Sequence, residues 1–317
     1  MGTGLFVGLV TLDLIYLADS PPSNNQKLVA ADYTVAAGGP GTNAAITFVH
    51  LGNNLEDNSG NNSGNNSGNN SGNTTNCAKI CGVVGSHPIT HLINGDLDSH
   101  QVELVDLKKS TSNPPPVSSI IITKSTGERA VISINAVKTP AQKDHIPPDI
   151  LQDVDIVLID GHQMEVGYAI AQMAKAANIP IVIDGGSWKA GFDSILPLVD
   201  YAICSANFHP PGCQTNTPQS VFEYLNELGI PHIAITQGDK PIQYTTPDKK
   251  DSIKYADVPR IQSIDTLGAG DIFHGAFCHY ILHESFTDAL LLSARVASYS
   301  CKFFGTRHWM HSKKSEY

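Results

Sequence analysis

The stretch Asp265-Thr266-Leu267-Gly268-Ala269-Gly270-Asp271-Ile272-Phe273-His274-Gly275-Ala276-Phe277 decides how this chain is read. Small residues run into a carboxylate, and an apolar pattern with helical spacing follows. A helix N-terminus leaves its first backbone N–H groups unpaired and carries partial positive charge. Gly268, Ala269 and Gly270 have little or no side chain to hold an anion away from those groups. Asp271 then stands at the start of the helix, beside whatever the amides hold. From there it can take a proton from a hydroxyl while the amides stabilise a phosphoryl group in transfer. For Gly-Ala-Gly-Asp alone, the competing reading is an ordinary Asp cap after a glycine turn.

Working outward, the texture on the N-terminal side of this stretch is strand–helix alternation. Strand patterns cover Asp155–Asp160, Ile179–Asp184, Val199–Cys204 and His232–Thr236. Helical patterns cover Val166–Ala177 and Pro218–Leu228. A hairpin pairs Ile242–Tyr244 with Ile253–Tyr255, and two helices close the chain, Asp271–His283 and Thr287–Phe304. Such alternation implies a mostly parallel sheet covered on both faces, with ligands bound past the carboxyl ends of its strands. Asp13, Asp160, Asp184, Asn207 and Gly238 fall at or just beyond predicted strand ends.

Nearer the start, Leu5–Val10 reads as a buried strand rather than a signal peptide, with Asp13 just past its end. Leu28–Val35 is extended. Gly38-Gly39-Pro40-Gly41-Thr42-Asn43 precedes a helix over Ala44–Leu51, with Gly52 as its C-cap. Cys77–Val84 is a strand, and Ser86 caps a helix reaching His100. Val117–Thr123 and Arg129–Ile134 flank a turn at Ser125–Glu128 as a hairpin. Between them, residues 53–76 are almost pure Asn, Ser and Gly, with Leu55 the single large apolar side chain, so the sequence predicts a disordered surface insertion.

The 317 residues are 41% hydrophobic and 16% charged, which is the composition of a globular enzyme. The net charge of −10 argues against nucleic acid or anionic membranes as partners. No stretch approaches a membrane span. Six cysteines without a CxxC pair argue against zinc and for a reduced, cytoplasmic protein. Neither a full GxGxxG nor a GxxxxGK[ST] loop occurs, so phosphate must be held by another device.

The early Gly38–Asn43 segment and the late Asp265–Asp271 segment together resemble the ribokinase-like (PfkB-type) carbohydrate kinases. Ile233-Ala234-Ile235-Thr236-Gln237-Gly238-Asp239 resembles that family's strand and nucleotide loop. The resemblance covers nearly the whole chain apart from the Asn-rich insertion. It implies a single domain over residues 1–317, with a three-layer α/β/α core, a mostly parallel sheet and a small β-sheet lid from residues 28–36 and 117–135. It implies phosphoryl transfer from ATP to a sugar hydroxyl, with Asp271 as the base and the backbone of Leu267 to Gly270 as the anion hole. Asp13, Gly39 and Asn43 would hold sugar hydroxyls, and Gly38 with Gly39 lets the backbone come close. Thr236 to Gly238, Asn207 and the last helix near Ser298 would border the nucleotide, and Asp265 would help bind a monovalent cation such as K⁺. Lid pairing across a homodimer is a further expectation.

Some features depart from the family pattern. The Asn-x-x-Glu element that helps organise magnesium reads Asn207-Phe208-His209-Pro210 here; Ser205-Ala206-Asn207-Phe208 is nearer a ketohexokinase-like subset. Mg²⁺ is then expected to be held mostly by the nucleotide phosphates and water. Ser86-His87 replaces the usual acidic residue after Val83-Val84-Gly85. Asp184-Gly185-Gly186-Ser187-Trp188-Lys189 is a polar cluster that borders the substrate site or forms a turn. Arg129 and Lys240 could each neutralise phosphate. His274 and His308 read as packing or surface residues. The expected function is ATP-dependent phosphorylation of a sugar of ribose, fructose or ketohexose type. The alternatives are a nucleoside, sugar-phosphate or cyclitol acceptor, or a catalytically silent binding or scaffold protein.

Overall fold

A computed structural model describes residues 2–53, 75–134, 136, 138–213, 217–249, 252–312 and 316–317. In chain order the strands are β1 (Thr3–Val7), β2 (Thr11–Ala18), β3 (Asp32–Gly38), β4 (Cys77–Gly82), β5 (Val102–Asp106), β6 (Val117–Thr123), β7 (Arg129–Ile132), β8 (Ile156–Ile159), β9 (Ile181–Gly185), β10 (Tyr201–Ser205), β11 (His232–Gln237), β12 (Lys240–Thr245) and β13 (Lys254–Ala256). The helices are α1 (Pro40–Asn53), α2 (Thr90–Ser99), α3 (Met164–Ala176), α4 (Phe192–Ile195), α5 (Pro218–Glu227), α6 (Ala269–Tyr280) and α7 (Phe286–Ser300).

Among the described residues, nine strands form one sheet in the order β13-β12-β11-β10-β9-β8-β1-β4-β5. Every pairing from β11 to β5 is parallel, and β12 and β13 add an antiparallel edge. Strand alternation explains why the sheet is covered twice. Phe6, Val182, Ile203 and Ala234 point to one face and pack with Phe48, Phe273, Phe277 and Leu290 of α1, α6 and α7. Their neighbours Leu5, Val7, Ile181, Ile183, Ile233 and Ile235 point to the other face and pack with Val166, Ile170, Phe192 and Phe222 of α3, α4 and α5. The result is the expected three layers. The parallel register sets Val7 beside Ile159 and Ser205 beside Thr236, so the strand ends that carry Asp160, Asp184 and Thr236 lie along one edge.

A second sheet runs β3-β2-β6-β7. It is mixed: β2 pairs antiparallel with β3 and parallel with β6, and β6 pairs antiparallel with β7. Ile15, Ile120 and Ile122 pack inward against Phe304. The turn after β6 docks on the motif segment, since Gly127 O accepts from Thr266 N at 3.4 Å and from Thr266 Oγ1 at 3.2 Å.

Several boundaries differ from those expected. Asp13 does not follow the first strand but lies inside β2, a lid strand that the sequence reading missed. The lid strand β3 starts at Asp32, not Leu28. α1 begins at Pro40, a residue whose fixed φ and missing N–H suit a first helical position, and Gly52 lies inside it. α2 starts at Thr90, not at Ser86. Of the expected insertion 53–76, residues 54–74 lie outside the described residues, as does Asn135 of the lid segment. No helix among the described residues is long and apolar enough to cross a membrane.

Candidate active site

The start of α1 is built by close backbone approach. Gly39 has φ +101°, and a Cβ there would stand 2.2 Å from Leu9 O, so the position requires glycine. Thr42 Oγ1 donates to the same Leu9 oxygen at 3.0 Å. Asp160, fully buried at the end of β8, accepts from the Leu9 and Gly41 N–H groups at 2.9 and 3.2 Å through Oδ2 and from the His162 N–H at 2.9 Å through Oδ1. This carboxylate pins the helix start to the sheet edge, which places Asn43 on the first turn of α1 over the site.

α6 carries the second half. Gly268, with φ +71°, is its N-cap, and an added Cβ would meet Thr306 Cγ2 at 2.8 Å. The Ala269 N–H turns back to Thr266 O at 3.4 Å, and the Ile272 N–H bonds Gly268 O at 2.8 Å. Gly270 and Asp271 are the remaining donors of that first turn. Asp265 is buried just upstream, its Oδ1 accepting from Leu267 N and its Oδ2 from Gly305 N, each at 2.8 Å. Burial raises the Asp265 pKa, against those two hydrogen bonds and Arg129.

The two halves meet where Asn43 Nδ2 donates to Asp271 Oδ2 at 2.8 Å. Burial pushes Asp271 up to about 6, and the charge of Asp184 adds to the rise; the Asn43 hydrogen bond and His274 oppose it. Burial likewise lifts Asp13 to about 6, against a hydrogen bond with Ser118 and the charge of Arg307. Asp13 comes close because its strand partner region is glycine: a Cβ on Gly38 would lie 1.9 Å from Asp13 Oδ2. Asp13 Oδ1 is buried with no protein partner.

Asp271 lines one of two cavities, and its neighbours Ala269 and Gly270 line the other. One, of about 740 Å³, is lined by Asp271, Asp184, Lys189, His162, Pro40 and Gly186, so the polar cluster after β9 is a cavity wall. The other, of about 770 Å³, is lined by Thr236, Gly238, Ser298, Ala269, Gly270 and His274. Lys240 and Arg260 also line this second cavity and supply positive charge to an acidic protein; Arg260 was not singled out from sequence. Asp13, Gly38, Gly39, Asn43 and Asn207 line neither cavity; Asn207 is exposed beyond β10, where the neighbouring Ala206 N–H bonds Thr236 O.

Two more residues shape the site. His274, expected to be a packing or surface residue, is a buried brace: Nδ1 lies 2.7 Å from Gly270 O and Nε2 lies 3.1 Å from Ile203 O, with Asp184 at 3.7 Å. Arg307 reaches in from the C-terminal segment to Asn43. The signal for it was a lone cation within the aromatic run Phe303-Phe304-Gly305-Thr306-Arg307-His308-Trp309. Arg129 contacts Thr266 O at 3.4 Å, so the lid hairpin carries a cation to the rim of the motif.

The profile described as pfkB family carbohydrate kinase matches residues 4–313. The chain belongs to the pfkB family. It is a phosphotransferase of that carbohydrate-kinase class. A ribokinase of Arabidopsis thaliana is 25% identical over 226 residues, covering 67% of this chain and 58% of that protein. A deoxyribokinase of Salmonella typhi is 24% identical over 318 residues, covering 95% and 93%. The structure of Arabidopsis thaliana ribokinase complexed with ribose and ATP superposes with a TM-score of 0.68 at 19% identity, covering 96% of this chain and 93% of that one.

Proposed function

We propose that this pfkB-family chain transfers the γ-phosphoryl of ATP to a hydroxyl of a sugar, of ribose, fructose or ketohexose type. The observation that carries the reading is the Asp271 carboxylate in the wall of one cavity, while Ala269 and Gly270 of the same helix start line the other. A pKa lifted toward neutrality makes it a better base than a free carboxylate while leaving it ionised at pH 7. Asp271 removes the acceptor proton. The amides at the start of α6 take the charge of the transferring group, chiefly those of Gly270 and Asp271, since within the expected Gly268, Ala269 and Gly270 set the Ala269 N–H turns back to Thr266 O. Asp13, Gly38, Gly39 and Asn43 hold the sugar from the small-sheet side. Thr236, Gly238 and Ser298 border the nucleotide, with Asn207 at most on its rim.

Two ions fit the residues present. Mg²⁺ would be carried mostly on nucleotide phosphate oxygens and water. When bound there it would neutralise phosphate charge. A monovalent cation such as K⁺ suits Asp265, a buried carboxylate met by neutral N–H groups with spare lone pairs. All six cysteines are free, which fits a reducing cytoplasmic setting. The chain is read as one functional unit over residues 1–317. The outer face of the small sheet exposes Tyr33 and Ile132, at 68% and 77%, along with Tyr16, and we assign this face to a homodimer.

The test is ATP consumption against a panel of pentoses, hexoses, nucleosides, sugar phosphates and cyclitols. Turnover with a sugar supports the reading, and turnover confined to nucleosides moves the acceptor class. Ligand-induced thermal shifts with no ADP across the panel would instead mark a silent binding protein.

A further inference from the structure

Arg307 belongs to none of the motifs above, yet its guanidinium is buried at the junction of α1, β3 and α2. Nη1 donates to Asn43 Oδ1 and to Thr306 Oγ1, each at 2.9 Å. Nη2 donates to Ala37 O at 2.6 Å and to Asp96 Oδ2 at 3.3 Å. Asp96 Oδ2 also accepts the Ala37 N–H at 3.0 Å, which closes the bracket. A guanidinium has donors and no acceptors. The Asn43 atom it touches must therefore be the amide oxygen, and the amide nitrogen is left facing Asp271 Oδ2. A flipped Asn43 would set its oxygen against a carboxylate oxygen, two acceptors with no proton between them.

We propose that Arg307 is a positioning residue for phosphoryl transfer. It fixes the Asn43 amide so that its NH₂ group occupies Asp271 Oδ2 and leaves Oδ1 to receive the proton of the acceptor hydroxyl. This rests on the reading of Asp271 as the base. Charge acts in the same direction. Asp271 faces Asp184 from β9, Asp13 from β2, His274 one turn further along α6, and Arg307. Arg307 faces Asp96 from α2, Asp13 and Asp271. Two carboxylates oppose ionisation of the base and the guanidinium favours it, so its removal lets Asp271 hold a proton to higher pH. The segment that delivers Arg307 is anchored by Trp309, which is fully buried and donates Nε1 to Thr306 O at 3.1 Å. The last turn of the chain is thereby part of the site.

The experiment uses the full chain and the acceptor found by the panel, with kcat and KM followed against pH. Arg307→Met is compared with Arg307→Met/Asp96→Asn, which leaves no orphaned carboxylate to unfold the protein, and with Arg307→Lys, which keeps the charge. Asp271→Asn is measured alongside. Both Met variants should lose about tenfold or more in kcat, and the acidic limb of their kcat profiles should move up by about half a unit or more. Arg307→Lys should keep the limb near its wild-type position. Folded variants with a wild-type kcat overturn the proposal, and so does a loss that is uniform across pH with no movement of the limb. If Asp271→Asn is inactive while the Arg307 variants behave as wild type, only this inference fails. If Asp271→Asn retains wild-type kcat, the base assignment itself falls and takes the inference with it.

Discussion

Asp271 and Asp13 both sit where an ionised carboxylate is costly, and that fixes the sign of two pH effects. As a base, Asp271 must be ionised, so kcat should be level above neutrality and decline as pH falls through about 6; a profile flat to pH 5 would contradict this. Stability runs the other way. A folded-state pKa raised from 3.8 to about 6 contributes stability that is fully present below pH 3.8 and lost as pH rises through 6. Asp271→Asn should therefore be more stable than wild type at pH 7.5, by about 1–2 kcal/mol after discounting for its partial exposure. The gain should vanish near pH 4, and thermal melts at the two pH values check it. At this scale the sequence was informative where chemistry and neighbours coincide. Gly268 to Asp271 could be read because the helix start and the carboxylate proposed as base are contiguous. Arg307 could not, because its partners Asn43, Ala37 and Asp96 lie 264, 270 and 211 residues away along the chain.

The pairing of α1 with α6 is the element-scale device that holds Asn43 against Asp271. It depends on Gly275, where an added Cβ would stand 2.3 Å from Ala44 O and 2.8 Å from Ala44 Cα. Gly275→Ala forces the two helices apart. It should destabilise the protein by about 1–3 kcal/mol and lower kcat even where the variant is folded, since the Asn43–Asp271 hydrogen bond has no slack. Denaturant melts and steady-state kinetics on one preparation test both parts, and an unchanged kcat in the folded variant would count against the coupling. Helices and strands of the large sheet were legible because each is a local pattern between turn residues. β2 was not. Thr11–Ala18 becomes a strand by pairing with β6, about a hundred residues on, through contacts such as Asp13 with Ser118. Asp13, expected just past the first strand, is therefore a residue of the small sheet.

For the molecule as a whole, the described residues that flank the Asn-rich segment, Asn53 and Cys77, belong to the end of the large sheet remote from the candidate site. α1 leads away from the site, and β4 re-enters beside β1 with Cys77 opposite Thr3, at the end remote from Asp160 and Asp184. Deleting residues 58–73 should thus leave kcat and KM within about twofold, since loop length changes closure entropy only slowly; a large loss in kinetic assays would give the segment a role. The exposed face of the small sheet makes the opposite kind of prediction. Ile132→Lys with Tyr33→Lys should turn a dimer into a monomer in sedimentation velocity, and a wild-type chain that already sediments as a monomer would remove the dimer from the account. Narrower than either is the proposed role of one carboxylate, Asp271, in taking the proton from the acceptor. Its most direct test is Asp271→Asn, with kcat measured on the acceptor and ATP affinity measured by titration. The account expects kcat to fall by about 100-fold or more while the ATP Kd stays close to wild type; a kcat near the wild-type value would contradict it.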